Sequence, residues 1–232
     1  MKKRLPLSFL VAAMVLLLTT SCAHKYYTSS SFEQQTARHK SIAILPAEMV
    51  FTGNQPKNLS PEDIAAIEEN ESLAFQQSLY NGVLRNANTR KYMTTVTIQD
   101  IRSTQDLLKE NNISVRESWR KDDKELARLL GVDAVVRLRI QKKRYMSDLA
   151  SFGVGIGRQI LSQVAINNGN IFVPWVPDKT NDIFAACSIV SNNQTLWNDN
   201  YKKETDWNTP SEQVIDRITD NFGKHFPYRK RI

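Results

Sequence analysis

Apolar and polar positions along the chain fall into two different periods, and those periods predict the elements. Residues 41 to 51, SIAILPAEMVF, form a nearly continuous apolar run rich in strand formers. Charge precedes the run and TGNQP follows it, which predicts a central strand. In the next segment, NLSPEDIAAIEENESLAFQQSLYNGVLRN, the apolar residues Phe75, Leu79 and Val83 recur every four positions. Ser60 is placed to cap a helix, Pro61 to fill its first position, and Glu62 and Asp63 to sit at its positive end. A long helix is predicted, interrupted near Asn70, with one stripe against the sheet. KYMTTVTIQDI then predicts a second strand, and Ser103 with Asp106 opens a short helix around Leu107 and Leu108 that stops at ENN. A third helix over Lys121 to Leu130 turns Leu126, Leu129 and Leu130 inward, with Gly131 supplying the left-handed residue a helix end favours. VDAVVRLRIQ follows as a strand, alternating Val136, Leu138 and Ile140 against Arg137 and Arg139.

The last third changes character. IFAACSIVSNNQTLWNDNYKKETDW predicts two strands around a turn at Asn192 and Asn193, which tolerate the positive φ of a tight hairpin. In NTPSEQVIDRITDNFGKHF, Thr209 is placed as a cap, Pro210 at the first helical position and Glu212 as the far side of a capping box. Ile215, Ile218 and Phe222 make that helix's apolar stripe. The order implies an α/β fold, an α+β sandwich in which a mixed sheet carries helices and a C-terminal β-hairpin is followed by a helix.

Residues 147 to 182 separate the third strand from the hairpin, and a connection that long in a compact domain is usually functional or disordered. Phe152, Ile156, Ile160 and Val164 repeat every four residues opposite Arg158, Gln159, Ser162 and Gln163, the pattern of an amphipathic helix. IFVPWVP adds an apolar strip stiffened by proline and carrying Trp175. Three readings stay open: extra core over the sheet, a surface for a partner or a second copy, or a segment that dips into a bilayer.

The first 21 residues are patterned differently. MKKR is a positive start, Leu5 to Leu18 an apolar run of 14 residues, and Thr20 and Ser21 small side chains before Cys22. A helix across a hydrocarbon core needs roughly 20 apolar residues, so the run predicts a removable signal peptide over 1 to 21 in place of a permanent span. Because the small pair abuts a cysteine, the segment resembles the bacterial lipoprotein signal, the lipobox. Thr19 stands where that signal usually has leucine, which falls one step earlier at Leu18. The resemblance implies a lipidated Cys22 at the start of the mature chain, carrying acyl chains such as palmitate. The alternative is ordinary secretion with an incidental cysteine. By the same resemblance, Ala23 after the cysteine, in place of Asp, implies the outer over the inner membrane. Residues 22 to 40 are polar, Ser/Thr-rich and unpatterned, and read as a flexible tether leading to a single domain over 41 to 232.

Composition narrows the partners. Of 31 basic residues, Lys2, Lys3 and Arg4 leave with the signal, so a formal charge of +7 falls to +4. A nucleic-acid binder would show a basic stripe interleaved with aromatics, and none is expected here. The one dense cluster, Arg137, Arg139, Lys142, Lys143 and Arg144, is either a solvated strand face or a patch for an anionic partner: lipid headgroups, glycan or an acidic protein. With Cys22 acylated, Cys187 has no intramolecular partner, so an exported chain would rely on its core.

Catalytic chemistry finds little footing. GVGIGR lacks both the spacing and the Lys-Ser/Thr of a phosphate loop. His24, His39 and His225 are scattered, and no HExxH or paired-cysteine motif is present, so no metal and no cofactor is expected. No G-x-S-x-G elbow occurs. Glu68, Glu69 and Glu71 are expected on a solvent-facing helix side, and Asp122 with Asp123 at a helix start.

SIAILPAE, DKELARLLGVDAVVRLRI and SIVSNNQTLWNDNY, in that order after a lipoprotein signal, resemble three segments of a bacterial lipoprotein family. It includes the curli secretion channel CsgG, the penicillin-binding-protein activator LpoB and the N-terminal domain of TolB. These segments correspond to its opening strand, its helix-to-strand passage and its hairpin. Asn192 and Asn193 stand where the hairpin glycine is expected. The resemblance covers about residues 41 to 146 and 183 to 225. It implies a non-enzymatic envelope lipoprotein that faces the periplasm and acts through protein contacts, as an export or assembly subunit or an activator of an envelope enzyme. No catalytic residue is carried over; Gly131, Asp133 and Trp197 serve folding. Two alternatives remain: a curli-type oligomeric channel subunit, or an envelope enzyme or ligand-binding module with its pocket under residues 147 to 182.

Overall fold

A computed structural model describes residues 26 to 53, 60 to 144, 181 to 205 and 211 to 232. The signal peptide and the Thr209 and Pro210 cap lie outside them. Fifteen elements follow in order: β1 Tyr27–Thr28, α1 Phe32–Thr36, β2 Ser41–Ile44, β3 Glu48–Gly53, α2 Pro61–Ala87, β4 Tyr92–Thr94, β5 Thr97–Ile98, α3 Ile101–Glu110, α4 Val115–Arg120, α5 Asp123–Leu130, β6 Ala134–Arg144, β7 Asn181–Ser191, β8 Gln194–Thr205, α6 Ser211–His225 and β9 Arg229–Arg231. They form a mixed α/β sandwich on a seven-stranded sheet ordered β1-β8-β7-β6-β2-β5, with β3 also on β6.

β6 is the hub of the sheet, pairing with β2, β3 and β7, and the run at 41 to 51 is interior over its first half, which lies between β6 and β5. That run is cut into β2 and β3 at Leu45-Pro46-Ala47, because proline has no N–H to give the ladder. Both halves lie parallel to β6, Ile42 opposite Ala134 and Met49 opposite Ile140. Alternation along β6 then sorts the faces. Val136, Leu138 and Ile140, essentially without exposure, meet α2 and α6, whose Phe75, Leu79, Val83, Ile218 and Phe222 are buried against them. Val135 points the other way, into a smaller core with Ala43 of β2, Leu45 just after it, Leu108 of α3, and Leu126 and Leu130 of α5.

Local chemistry sets the ends of most elements. Ser60 and Asp63 close a reciprocal capping box at the start of α2, which runs 27 residues without the break expected at Asn70. A second capping box, Ser114 with Glu117, starts α4, an element the periodicity did not reveal. Asp100, not Ser103, caps α3 by accepting from the amides of Arg102 and Ser103. Gly131 ends α5 at φ 68°, and Asn192 and Asn193 turn the β7–β8 hairpin at φ 50° and 63°.

Two sequence expectations change. KYMTTVTIQDI is not one strand: Tyr92–Thr94 pairs antiparallel with Arg229–Arg231 in a separate ribbon, while Thr97–Ile98 joins the main sheet beside β2. Residues 26 to 40, taken as part of a tether, are folded onto the body. Tyr27 pairs with Asn198 and Thr28 with Trp197 at the β8 border, and Phe32 on α1 is 6% exposed within the main core. Polar composition hid that anchor, because one buried aromatic and two backbone pairings leave no periodic trace.

No helix among the described residues is long and apolar enough to cross a membrane.

Candidate functional site

The sheet has two unequal ends. At the end where β2 and β5 lie, both faces carry helices. At the other, distal end, β3, β6, β7 and β8 run on together to Gly53, Arg144, Asn181 and Thr205. The α3–α5 layer stops at Arg137. That guanidinium binds Asp123 and donates to the carbonyls of Ser118 and Lys121, both at 2.6 Å, fastening the α4–α5 junction to β6.

Beyond Arg137, cross-strand register defines one face with no described helix over it. Arg139, Gln141 and Lys143 on β6 lie level with Ala186, Phe184 and Asp182 on β7. Phe184 and Ala186 lie level in turn with Lys202 and Asn200 on β8. Arg139, Gln141, Lys143, Asn200 and Lys202 are exposed, as is Phe184 at 39%. The Lys202 ammonium sits 5.2 Å from the Phe184 ring centre, a cation–π geometry. Arg139 also reaches Glu48 of β3 at 3.5 Å while staying 59% exposed. The face therefore mixes polar, aromatic and charged positions, with Glu48, Asp182 and Glu204 lying in register among the cations.

Both borders of this distal sheet are open among the described residues. β3 pairs only with β6, and β1 covers β8 at Trp197 and Asn198, leaving Asp199 to Thr205 with no described strand outside them.

The basic cluster seen in the sequence is thus divided by the pleat. Arg139 and Lys143 face outward on the open face. Arg137 is consumed by the helix layer, and Lys142, on the opposite face, forms a buried pair with Glu71 at 2.6 and 2.7 Å beneath the Phe51 ring. Arg144 pairs its backbone with Gly53 and Asn181 at the distal limit. Glu71 corrects an expectation: it is 4% exposed, not solvent-facing. Glu68 and Glu69 bind Arg116 of α4. Lys202, Phe184 and Asn200 were missed because their adjacency to Arg139 is across strands; the alternation in IFAACSIVS and WNDNYKKET carried that signal.

Cys22, Phe152, Ile156, Ile160, Val164 and Trp175 lie outside the described residues. Cys187 is fully buried, and burial with the neighbouring Asp199 carboxylate pushes its thiol up, so it is inert at neutral pH. Asp199, without exposure itself, meets His225 at 3.1 Å, and the Tyr26 ring stacks on that imidazole at 6.0 Å. Asp133 accepts from the amides of Lys40 and Ser41, which joins the start of β6 to the start of β2.

Two grooves flank α4. One, of about 440 Å³, lies between Pro46, Leu108, Ile113 and Val115; the other, of about 570 Å³, between Asn111, Arg116, Trp119 and Lys121. In the first, the Ser114 hydroxyl donates to the Glu117 carboxylate at 2.7 Å, a pair engaged in the cap of α4; among the described residues no three His, Cys, Asp or Glu side chains could hold a metal.

No protein-family model matches the chain, and no curated protein matches it. Among solved structures it is similar to lipoprotein GNA1162 from Neisseria meningitidis, with 10% identity over 80% of this chain and 96% of that one and a TM-score of 0.44. It is also similar to the LpoB C-terminal domain from Salmonella enterica, with 9% identity over 72% and 84% and a TM-score of 0.37. The PelC dodecamer from Paraburkholderia phytofirmans gives 10% identity over 86% and 93% and a TM-score of 0.37.

Proposed function

We propose that the chain is a non-enzymatic lipoprotein of the bacterial outer membrane, held by acyl chains on Cys22 and facing the periplasm, whose body works by protein–protein contact. The observation that carries this reading is the open distal border of β8. Seven consecutive residues, Asp199 to Thr205, have no described strand outside them. Such an edge offers backbone donors and acceptors to an incoming strand, and protein partners commonly use that mode. Lys202 in the same stretch is exposed and is the kind of charged residue that keeps an edge from pairing indiscriminately.

Self-assembly is the second reading, and the direction of the border strands is compatible with it. β3 and β8 run the same way at opposite borders, since each is parallel to β6. Contact of β3 on one copy with β8 on the next would be parallel and join unlike surfaces, and such contacts close into rings or extend as filaments.

The test is purification of the lipidated protein from membranes in mild detergent, followed by mass-resolved size measurement and identification of co-purifying envelope proteins. A stoichiometric complex with itself or another protein is expected. A monomer free of partners, together with a Cys22→Ser variant that stays in the membrane, would overturn the reading.

A further inference from the structure

The small β4–β9 ribbon is basic on both faces. Residues 86 to 99 and 221 to 232, which make the ribbon and its approaches, contain no aspartate or glutamate. They bring together Arg90, Lys91, Arg229, Lys230 and Arg231, and a terminal carboxylate on Ile232 would offset only one of these charges. Arg90, Lys91, Lys230 and Arg231 are exposed and have no ion-pair partner among the described residues. Asp220, the last acid before β9, is already held by Arg85, Asn86 and Lys224. Register sorts the side chains. Met93 lies level with Lys230 and is 49% exposed, while Arg229 and Arg231 stand on the other face with Tyr92, whose ring centre lies 3.5 Å from the Arg229 guanidinium.

The backbone alternates in the same way. Ile232 donates to the Lys91 carbonyl and Thr95 to that of Tyr228, whereas Tyr92 exchanges both its bonds with Thr89, away from β9. Successive residues of an antiparallel strand aim their backbone groups to opposite sides, so Arg229 and Arg231 aim theirs away from β4. The Arg229 N–H returns to the Phe226 carbonyl. The Arg229 carbonyl and both groups of Arg231 are left on a border that no described strand meets.

From this we infer that β9 receives an acidic, extended segment of a partner protein as a third strand of the ribbon, with carboxylates beside Arg231 on one face and Lys230 on the other. The open backbone selects a peptide, because neither headgroups nor nucleic acid can continue a ladder, and the unbalanced charge selects an acidic one. The inference rests on the proposed function only in taking the partner to be a protein; the surface is distinct from the β8 border.

Fluorescence anisotropy tests it on the full-length protein in non-ionic detergent at low ionic strength. The probe is a short labelled peptide alternating glutamate and valine. Saturable binding that weakens with salt is expected, and a peptide alternating lysine and valine should not bind. Lys230→Gln and Arg231→Gln should each weaken binding about two- to fivefold. Lys230→Arg with Arg231→Lys should bind like the parent, and so should Lys124→Gln and Arg217→Gln, exposed elsewhere. Methylating alternate backbone nitrogens of the probe keeps its charge and should abolish binding. Equal binding of the methylated probe would make the ribbon a site for any polyanion, lipid headgroups included, and overturn the inference. So would equal binding by the Lys230→Gln, Arg231→Gln double variant and its parent, or no binding of the acidic probe. A failed copurification test of the proposed function leaves the peptide result standing, so the two failures are distinguishable.

Discussion

The Glu71–Lys142 pair shows how far a residue's role can lie from its neighbours in sequence. Glu71 belongs to a run of acidic residues on α2 that reads as solvated, yet its carboxylate is buried because Lys142, 71 positions later, arrives opposite it on β6. Removing one partner strands the other charge. Glu71→Gln is therefore expected to destabilise the fold by about 3 to 5 kcal/mol, while the Glu71→Leu, Lys142→Met double variant should cost far less. Urea denaturation of both decides this, and equal losses would contradict the pairing. By contrast, Gly131 and Asn192–Asn193 were legible because positive φ is a local demand of one helix end and one hairpin. No atom lies within 4 Å of a Cβ at Gly131, so Gly131→Ala should cost only the backbone strain, about 1 kcal/mol, in thermal unfolding. His39 gives a pH signature. Burial holds its imidazole below the ordinary value, against the opposing influence of Asp133, while its Nδ1 lies 2.6 Å from the Tyr228 hydroxyl. A depressed histidine stabilises the fold above its unfolded value of about 6.5, and that contribution is lost as pH falls toward and through its lower folded value. Stability should therefore decline from neutral to mildly acidic pH, and His39→Gln should flatten the decline; an unchanged slope would assign it to other groups.

At the scale of elements, periodic and capped segments were legible and short non-local pairings were not. The stripe Phe75, Leu79, Val83 located α2 correctly, but Asn70 suggested an interruption that packing overrides. An interior asparagine costs a helix only about 0.7 kcal/mol, less than burying Ile67 and Phe75 on either side of it returns. β4 and β9 have three residues each and pair across 138 intervening positions of chain between Tyr92 and Arg231, so neither leaves a pattern to find. The crossing of α2 and α6 is set by two glycines that no spacing rule selects. A Cβ on Gly223 would come within 2.5 Å of the Gly82 carbonyl oxygen, and one on Gly82 within 3.0 Å of the Thr219 carbonyl oxygen. Gly223→Ala is expected to cost about 2 to 3 kcal/mol, because the helices must separate, and Gly82→Ala about 1 kcal/mol, part of which helix propensity returns. Chemical denaturation of the two variants checks the order; a stabilised Gly223→Ala would mean that the helices do not meet there.

For the molecule as a whole, the sheet outruns its helices. Among the described residues, helices cover both faces as far as Arg137, and beyond it β3, β6, β7 and β8 run on with no described helix over one face and no described strand outside either border. The sequence located the strands that make this projection, and Arg139 and Lys143 on it, but not the cross-strand grouping with Phe184 and Lys202, which only register creates. It also placed a tether over residues 22 to 40, of which 26 to 40 are folded onto the body. The central claim is that this projecting border touches another protein in the cell envelope. Site-specific photocrosslinking in living cells tests it most directly, with a photoreactive residue at Asn200 on the β8 border and a second at Arg217 on exposed α6 as the control. Discrete adducts from position 200, to another envelope protein or a second copy, with none from position 217, are expected. Adducts from neither position, or only from 217, would contradict the claim.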